Sequence, residues 1–224
     1  MAVAEPAIEA RELYRFYHIG DDETQALRGV TMAVHAGEIV AVVGPSGSGK
    51  STLIACLAGL DEPDGGFVHV NGERLSRRDE KTRSSMRARL IGILLQAGNL
   101  FDHLTVEQNV RLKMRLAGQN QPDRIGEVLE MVGIAHRRRA YPNQLSGGEA
   151  SRAGFAVALA PRPPILIADE PTGEVDAETE HRILALFEDH RKSGGAVLIV
   201  THSEAIASRA DRVIHIDDGK IVDG

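Results

Sequence analysis

Short aliphatic runs recur along the chain and alternate with longer segments of helical periodicity. Apolar runs of about four to eight residues bounded by turn residues are typical of buried strands. Such strands alternating with helices favour an α/β fold with a mainly parallel sheet. We therefore predict buried strands at GEIVAVVG (37–44), LIGILLQ (90–96), PILIADE (164–170), AVLIVTH (196–202) and RVIHID (212–217).

Two tight hairpins are predicted beside this parallel core. Alternating apolar positions surround Asn71-Gly72 and Asp218-Gly219. Both dipeptides favour the two-residue turn that joins a pair of antiparallel strands. Antiparallel β structure is therefore expected to flank the parallel sheet.

Residues 97 to about 144 interrupt the strand pattern with helical segments. Thr105 is predicted to cap one helix, and Pro122 to open another. We interpret 97–144 as a helical subdomain inserted into a single domain that spans 1–224.

Composition and charge narrow the possible partners. The chain is 42% hydrophobic and 26% charged, with 4% aromatic residues and no Trp, which predicts a mainly aliphatic core. The net charge of -6 offers no general attraction to nucleic acid or anionic lipid, so no nucleic-acid partner is expected. The basic run Arg137-Arg138-Arg139 is interpreted as a solvated helix end rather than as a contact with phospholipid or a partner.

The sequence also bears on compartment and membrane insertion. Cys56 is the only cysteine, which excludes an internal disulfide and favours a reducing compartment. No apolar run approaches the roughly 18 residues that a membrane-spanning helix needs. The start MAVAEPAIEAREL lacks the basic and apolar regions of a signal peptide. We expect a soluble chain that requires a partner for any work in a membrane.

Gly44–Ser51 fits the phosphate-loop pattern G-x-x-x-x-G-K-[ST] between a predicted strand and a predicted helix. Backbone N–H groups and the helix N-terminus would converge there on phosphate oxygens. Lys50 is expected to reach the β and γ phosphates, and the Ser51 hydroxyl to bind Mg²⁺. A glycine-rich turn with an exposed lysine is the alternative. The candidate nucleotide-binding residues here are Gly44, Pro45, Ser46, Gly47, Ser48, Gly49, Lys50, Ser51 and Thr52.

Polar residues at the ends of three other predicted strands are candidates for catalysis. Asp169 fits a Mg²⁺ ligand, and Glu170 fits the general base for an attacking water. These two carboxylates alone would equally well cap the following turn. His202 is expected to hydrogen-bond the γ phosphate, although a lone histidine is more often structural. Gln96 is a lone amide where a strand leaves the core.

The stretch LSGGE (145–149) resembles a second anion site. Ser146, Gly147 and Gly148 open a helical run, and a helix N-terminus favours negative charge. An ordinary serine cap with a nearby Glu149 explains the serine but not the paired glycines.

Together these residues resemble the ATP-binding subunits of ABC transporters, from about Ile8 to Val222. The family's phosphate loop falls on Gly44–Ser51 and its signature on Leu145–Glu149. The order and spacing of the motifs carry the resemblance, because most of them are weak alone. The remaining motif residues are Tyr17 (adenine stacking), Gln96 (Q-loop), Asp169 and Glu170 (Walker B carboxylate and catalytic glutamate), Asp176 (D-loop) and His202 (switch histidine).

The resemblance implies a fold and a set of ligands. The fold is a P-loop NTPase core with a mainly parallel sheet, a flanking antiparallel β subdomain and an inserted helical lobe. The ligands are ATP, which is hydrolysed, and Mg²⁺. The implied catalytic residues are Lys50, Glu170 and His202, and the implied metal ligands are Ser51, Gln96 and Asp169.

The resemblance also implies partners. In the family, the signature of one copy closes over the nucleotide held by another, so Ser146 is expected to donate to a γ phosphate while Gly147 and Gly148 let the backbone approach. We expect a dimer of two identical chains around two ATP molecules. It would drive an integral membrane permease, with the helical lobe as contact and Gln96 as hinge. This places the chain in the cytoplasm, peripheral on the inner face of the membrane.

Within the family, four stretches resemble the lipoprotein-release and macrolide-export branch: HIGDDETQ, ALRGV, GPSGSGKSTL and ADEPTGEVD. Several positions depart from the usual family residues without removing a catalytic group. They bear on partner contacts and hydrolysis rate, and are Leu95, Glu149, Ala150, Val157 and Val175.

Two other functions stay open at this point. Soluble ABC ATPases that act on DNA or the ribosome usually carry long coiled-coil insertions or two ATPase domains, and this sequence has neither. A nucleotide-gated regulator in a division-type membrane complex keeps the same motifs, so the sequence does not separate it from a transporter subunit.

Overall fold

Two β-sheets pack against the first helix of the chain in the computed structural model, which describes residues 5–20, 22–172 and 175–223. Asp21, in the stretch HIGDDETQ, and Gly173 and Glu174, in ADEPTGEVD, lie outside the described residues. The strands are β1 Ile8–Ile19, β2 Asp22–Val34, β3 Ile39–Val43, β4 Gly65–Val70, β5 Glu73–Arg74, β6 Ile91–Leu94, β7 Ile165–Asp169, β8 Ala196–Val200, β9 Arg212–Asp217 and β10 Lys220–Asp223.

The larger sheet confirms the predicted parallel core. Its strand order is β10-β9-β3-β8-β7-β6, and every pair is parallel except β10 with β9. In the middle of the sheet, Val40 of β3 pairs with Leu198 on one side and with Arg212 on the other. Because parallel strands buried on both faces must be aliphatic throughout, four of the five runs were recognisable as continuous apolar segments, whereas RVIHID of β9 alternates buried and exposed positions.

The smaller sheet is antiparallel, with strand order β2-β1-β4-β5. The hairpin at Asn71-Gly72 joins β4 to β5, and that at Asp218-Gly219 joins β9 to β10, as predicted. The long strands β1 and β2 were not predicted. Register shifts interrupt their pairing between Ala10 and Leu13, where Glu12 has a φ of 49°, so the alternation of apolar positions is broken.

The predicted helical region contains two α-helices and two short 3₁₀ turns, Ala135–Arg137 and Pro142–Gln144. Thr105 caps the first helix in a capping box with Gln108, and Pro122 opens the second, as expected. The unity of 97–144 as a subdomain stays a prediction. The α-helices of the chain are α1 Lys50–Leu57, α2 Glu80–Leu90, α3 Val106–Leu116, α4 Pro122–Met131, α5 Gly147–Leu159, α6 Ala177–Lys192 and α7 Glu204–Ala207.

Two apolar clusters cover opposite faces of the parallel sheet. On β7, Ile165 and Ile167 join the cluster that includes α1 and the antiparallel sheet, whereas Leu166 and Ala168 join the cluster that includes α3, α4 and α5. The carboxyl ends of β3, β7 and β8 therefore meet at one edge, between the two clusters. Among the described residues, no helix combines the length and apolarity needed to cross a membrane.

Candidate nucleotide-binding site

The phosphate loop follows β3 and opens α1. Gly49 precedes the helix with a φ of 102°, and no side chain caps the first N–H groups of α1. A Cβ on Gly49 would lie 2.4 Å from the Ala26 carbonyl oxygen, and one on Gly44 would lie 2.1 Å from that of Ile216. These two positions therefore require glycine. The loop presents backbone donors rather than side chains, as an anion cradle must.

Lys50 is the first residue of α1, and its side chain is buried over the loop. Its Nζ donates to the carbonyl oxygens of Gly44 at 2.8 Å and Pro45 at 2.6 Å. Burial lowers the pKa of Lys50, against the opposing effect of the carboxylates of Glu170 and Asp169. A phosphate beside this ammonium would favour its charged form.

Asp169 and Ser51 bring two hard oxygens together. The Ser51 hydroxyl donates to Oδ2 of Asp169 at 3.4 Å, and burial raises the pKa of this carboxyl. Within the described residues, no three His, Cys, Asp or Glu side chains converge on one point. Two protein oxygens suit Mg²⁺, which completes its shell with water and substrate phosphates.

Glu170 is held by the segment that follows β8. It has a φ of 47°, its N–H donates to the Val200 carbonyl, and its Oε2 accepts from the Thr201 hydroxyl and the His202 N–H, both at 3.3 Å. Oε1 is buried and accepts no hydrogen bond from the described residues, and His202 Nε2 lies 3.6 Å from it. One oxygen thus fixes the side chain, and the other is available to accept a proton.

Tyr17 is fixed to the far end of α1. Its hydroxyl donates to Oδ2 of Asp61 at 3.0 Å, and Asp61 also pairs with Arg15 at 2.8 and 3.0 Å. The Arg15 guanidinium lies 4.8 Å from the centre of the Tyr17 ring. This network immobilises the ring, as a stacking platform for a base requires.

A cavity of about 490 Å³ joins most of these predicted residues. Gly44, Pro45 and Ser48 shape the loop without lining the cavity, and Asp176 and the signature lie elsewhere. The predicted residues that line it are Tyr17, Ser46, Gly47, Gly49, Lys50, Ser51, Thr52, Gln96, Asp169, Glu170 and His202.

Sequence reasoning missed six residues that line the same cavity. The hairpin at Asp218-Gly219 was predicted, but nothing in the sequence placed it against the loop, where the Gly219 N–H donates to the Ser48 carbonyl at 3.0 Å. Arg28 pairs with Asp218 at 2.5 Å across the mouth of the cavity. The six are Thr24, Gln25, Ala26, Arg28, Asp218 and Gly219.

The signature turn lies outside this cavity. Ser146 is the exposed N-cap of α5, and its Oγ accepts from the Glu149 N–H at 3.3 Å. The Glu149 carboxylate accepts from the Ser146 N–H at 2.9 Å, which completes a capping box. A chain therefore does not bring its own signature to its own nucleotide cavity.

Asp176 and Gln96 are the two remaining predicted residues, and both lie near the signature helix α5. Asp176 caps α6 through Thr179, and a Cβ on Gly148 would lie 3.5 Å from its Oδ2. Gln96 lines both the nucleotide cavity and a groove of about 310 Å³ that also touches Gly147. The structure thus places Asp176 beside the signature and Gln96 between the two regions.

Two of the three arginines at 137–139 are ion-paired rather than simply solvated. Arg137 Nε lies 2.7 Å from Oε1 of Glu149, and Arg138 Nε lies 2.6 Å from Oε2 of Glu107. The basic run is therefore tied to α5 through Glu149 and to α3 of the lobe through Glu107.

Comparison with known proteins gives consistent relatives. The sequence profile of the ABC transporter family matches residues 27–173. The chain is 44% identical over 205 residues to the methionine import ATP-binding protein MetN of Mesorhizobium japonicum, covering 89% of this chain and 56% of that protein. It is 39% identical over 220 residues to the macrolide export ATP-binding/permease protein MacB of Shigella flexneri, covering 97% of this chain and 34% of that protein. The chain therefore spans about half of the first relative and a third of the second.

Solved structures agree with the fold. The dimeric structure of MJ0796, a bacterial ABC transporter cassette, superposes with a TM-score of 0.91 at 32% identity, covering 96% of this chain and 97% of that one. A second dimeric structure of MJ0796, in a post-hydrolysis state bound to ADP and Pi, matches equally well.

Proposed function

Because this chain belongs to the ABC transporter family, of which it is an ATP-binding cassette, we propose that it binds and hydrolyses ATP in a dimer that drives a membrane permease. The observation that carries the proposal is the division of anion-binding groups between two places. The phosphate loop, Asp169 and Glu170 meet in one cavity, while the signature turn stands exposed outside it. Each chain then holds half of two composite sites.

ATP fits the cavity from end to end. Tyr17 offers a fixed ring for the adenine, and the phosphate loop offers backbone donors and the Lys50 ammonium for the phosphates. Ser51 and Asp169 would hold Mg²⁺, with the Gln96 amide as a third oxygen. Bound Mg²⁺ would offset the negative charge of the β and γ phosphates.

Glu170 and His202 are proposed to act on the attacking water. The Oε1 atom of Glu170 would take the proton of that water, because its Oε2 partner atom is already held by Thr201 and the backbone of His202. His202 is more than half exposed at the same edge, where its Nε2 would donate to the γ phosphate and orient Glu170.

The dimer is proposed to consist of two copies of this chain in head-to-tail arrangement. Ser146 of one copy would donate to the γ phosphate held by the other, with Gly147 and Gly148 allowing close approach and Asp176 beside them at the interface. The similarity to dimeric structures of the MJ0796 cassette supports a dimer. ATP would stabilise the closed dimer, and hydrolysis would remove that bias.

The membrane partner is proposed to contact the helical lobe, with Gln96 as the hinge. Gln96 supports this because it lines both the nucleotide cavity and the groove beside the signature helix. The chain would then lie in the cytoplasm, on the inner face of the membrane. One relative is named for import and the other for export, so export or lipoprotein release is proposed from the branch resemblance alone.

A mixed-dimer experiment tests this proposal. Ser146→Arg and Lys50→Ala should each give an inactive homodimer. In a mixed dimer, the intact loop of the first chain faces the intact signature of the second. Random mixing makes half of the dimers mixed, each with one good site of two, so recovery should reach at most about a quarter of wild-type ATPase activity if the sites act independently.

Tagged pull-down confirms mixed-dimer formation, and a tethered pair is then assayed at saturating Mg-ATP. If the signature served its own nucleotide, every site would keep one defect and no mixture would recover. An inactive tethered dimer that still binds ATP at its intact loop would contradict the shared-site arrangement.

A further inference from the structure

The acidic residue in the signature turn poses an electrostatic problem. Glu149 lies in the first turn of α5, and its carboxylate holds the Ser146 N–H at 2.9 Å. If Ser146 receives a γ phosphate, as proposed above, that phosphate approaches a helix end that already carries a negative charge. Like charges facing each other across an interface weaken association unless they are compensated.

A cation from the helical lobe lies directly against this carboxylate. Arg137 Nε is 2.7 Å from Oε1 of Glu149, and His136 Nε2 is 3.4 Å from the same oxygen. The Glu149 side chain is 11% exposed, whereas that of His136 is 62% exposed. Arg137 is therefore the permanent partner, because its guanidinium stays charged at every physiological pH.

The two oxygens of Glu149 have separate tasks. Oε2 accepts from the Ser146 backbone, and Oε1 accepts from Arg137. The Ser146 Oγ accepts from the Glu149 N–H, so its own hydroxyl proton is free to be donated outward. The capping box thus orients the serine, and the lobe supplies the compensating charge.

We propose that Arg137 is the positioning residue that lets an acidic signature turn receive phosphate, by pairing with Glu149 while Glu149 orients Ser146. This inference rests on the proposed contact in trans between the signature and the γ phosphate. The inference gives Arg137 a function, although the basic run in the sequence predicted a solvated helix end. It also explains how glutamate is accommodated at a position where the family often has glutamine.

The neighbouring arginine is a matched control. Arg138 makes two hydrogen bonds to Glu107 of α3, at 2.6 and 3.0 Å, and among the described residues it forms no hydrogen bond or ion pair with 145–149. Arg137 and Arg138 are adjacent, carry the same charge and have nearly equal exposure, 43% and 46%. A loss specific to Arg137 therefore cannot arise from net charge alone.

The experiment measures ATP-driven dimerisation in full-length Glu170→Gln protein, in which ATP is not consumed. Sedimentation at several protein concentrations gives the dimer dissociation constant with Mg-ATP. Arg137→Gln should raise this constant by about tenfold or more, because Glu149 then faces the phosphate without its permanent cation. Arg138→Gln should leave it within about twofold, and monomer binding of ATP should be unchanged in both.

A double variant that removes both charges of the ion pair is the decisive test. In Arg137→Gln/Glu149→Gln no carboxylate needs compensation, so dimerisation should return to the level of Glu149→Gln alone. Raising the salt concentration should reduce part of the Arg137→Gln defect by screening the repulsion between Glu149 and the phosphate. If Arg137 served only to hold the lobe together, the double variant would be no better than Arg137→Gln, and salt would not help.

Three outcomes would overturn the inference: normal dimerisation of Arg137→Gln, no recovery in the double variant, or an equal defect in Arg138→Gln. Should Arg137→Gln fold poorly by thermal denaturation, Arg137→Lys keeps the charge and must dimerise within a few-fold of the parent. Failure of the Glu170→Gln parent to dimerise would instead contradict the proposed function itself.

Discussion

Two helices of this protein, α1 and α5, each follow a turn rich in glycine and serine. They differ in whether side chains cap the first N–H groups of the helix. At α1, Gly49 provides no side-chain cap and the first turn holds no acidic residue. At α5, Ser146 and Glu149 cap each other's backbone. Since uncapped N–H groups need an outside partner, the first helix end depends on its ligand more than the second, where the Glu149 N–H already donates to Ser146 Oγ.

The surroundings differ in the same sense. Gly49 is enclosed by the Ala26 carbonyl, and Lys50 is buried, whereas Ser146 and Gly147 are exposed. The enclosed Gly49 and the buried Lys50 suit an anion that stays through a catalytic cycle, while the exposed residues 45–47 leave the loop open on one side. An exposed and self-satisfied turn suits an anion that it meets and releases as two chains close and separate. The comparison therefore distinguishes a holding site from a sensing site, and the following measurements test it.

The largest effect is expected at the holding site. Lys50→Ala should lower ATP hydrolysis by about a hundredfold or more and weaken ATP binding by the isolated chain, because the β and γ phosphates lose their cation. Ser146→Arg should instead leave ATP binding by the monomer near wild type. Equilibrium titration with a fluorescent ATP analogue and phosphate-release assays separate the two. Equal loss of monomer binding in both variants would break the comparison.

Glu170→Gln should keep ATP binding and lose turnover by about a hundredfold or more, because no carboxylate then accepts the proton of the attacking water. The ATP-bound dimer should accumulate, and size-exclusion chromatography with Mg-ATP would reveal it. Adding Ser146→Arg to Glu170→Gln should return the protein to monomers. A monomeric Glu170→Gln protein that hydrolyses ATP normally would refute both roles.

Alanine substitutions at two glycines should distinguish an effect on folding stability from an effect on the contact between two chains. Gly49→Ala should destabilise the protein by about 1–3 kcal/mol from backbone strain alone, because its φ is 102° and a Cβ would strike the Ala26 carbonyl oxygen at 2.4 Å. Gly148→Ala places its Cβ against the Thr179 hydroxyl at 2.9 Å, within a helix that favours alanine. It should change stability less and reduce ATP-driven dimerisation. Chemical denaturation with and without nucleotide checks both.

The smallest expected effect is on acid stability. Arg137 and the Ser146 N–H hold the pKa of Glu149 at about 2, below its ordinary value of 4.5. The stabilisation is complete above the ordinary pKa and is lost as the pH falls from about 4.5 to 2. Glu149→Gln should therefore flatten the fall in unfolding free energy across that range. An unchanged slope would mean that the ionised Glu149 carboxylate is no better stabilised in the folded protein than in the unfolded chain.

The sequence was most informative where one residue type is physically required. A buried parallel strand must be aliphatic, and a loop that approaches Ala26 and Ile216 must have glycine, so the strands and Gly44–Ser51 were predictable. Half-exposed β1 and β2 were not, because register shifts break their alternation. Residues far apart in sequence, such as Arg28 and Asp218, also gave no signal of their shared place at the cavity.

The ion pair between Arg137 and Glu149 shows a different limit. Both residues were visible in the sequence, one as part of a basic run and one as part of the signature. Their pairing depends on how the 3₁₀ turn Ala135–Arg137 packs against α5, and charge patterns alone do not specify such a contact. Local rules therefore predicted a solvated arginine at a position where tertiary packing supplies a partner.

The central place of β3 has a consequence for how each chain is made. Val40 of β3 pairs with Arg212, which the ribosome adds about 170 residues later. At about 5–20 residues per second, that delay is roughly 10–35 s. For most of this interval the aliphatic strand has neither of its neighbours, because β8, which carries Leu198, is itself added only shortly before β9. Gly44–Ser51 is therefore synthesised long before β8 and β9, the two strands that hold β3 in the sheet.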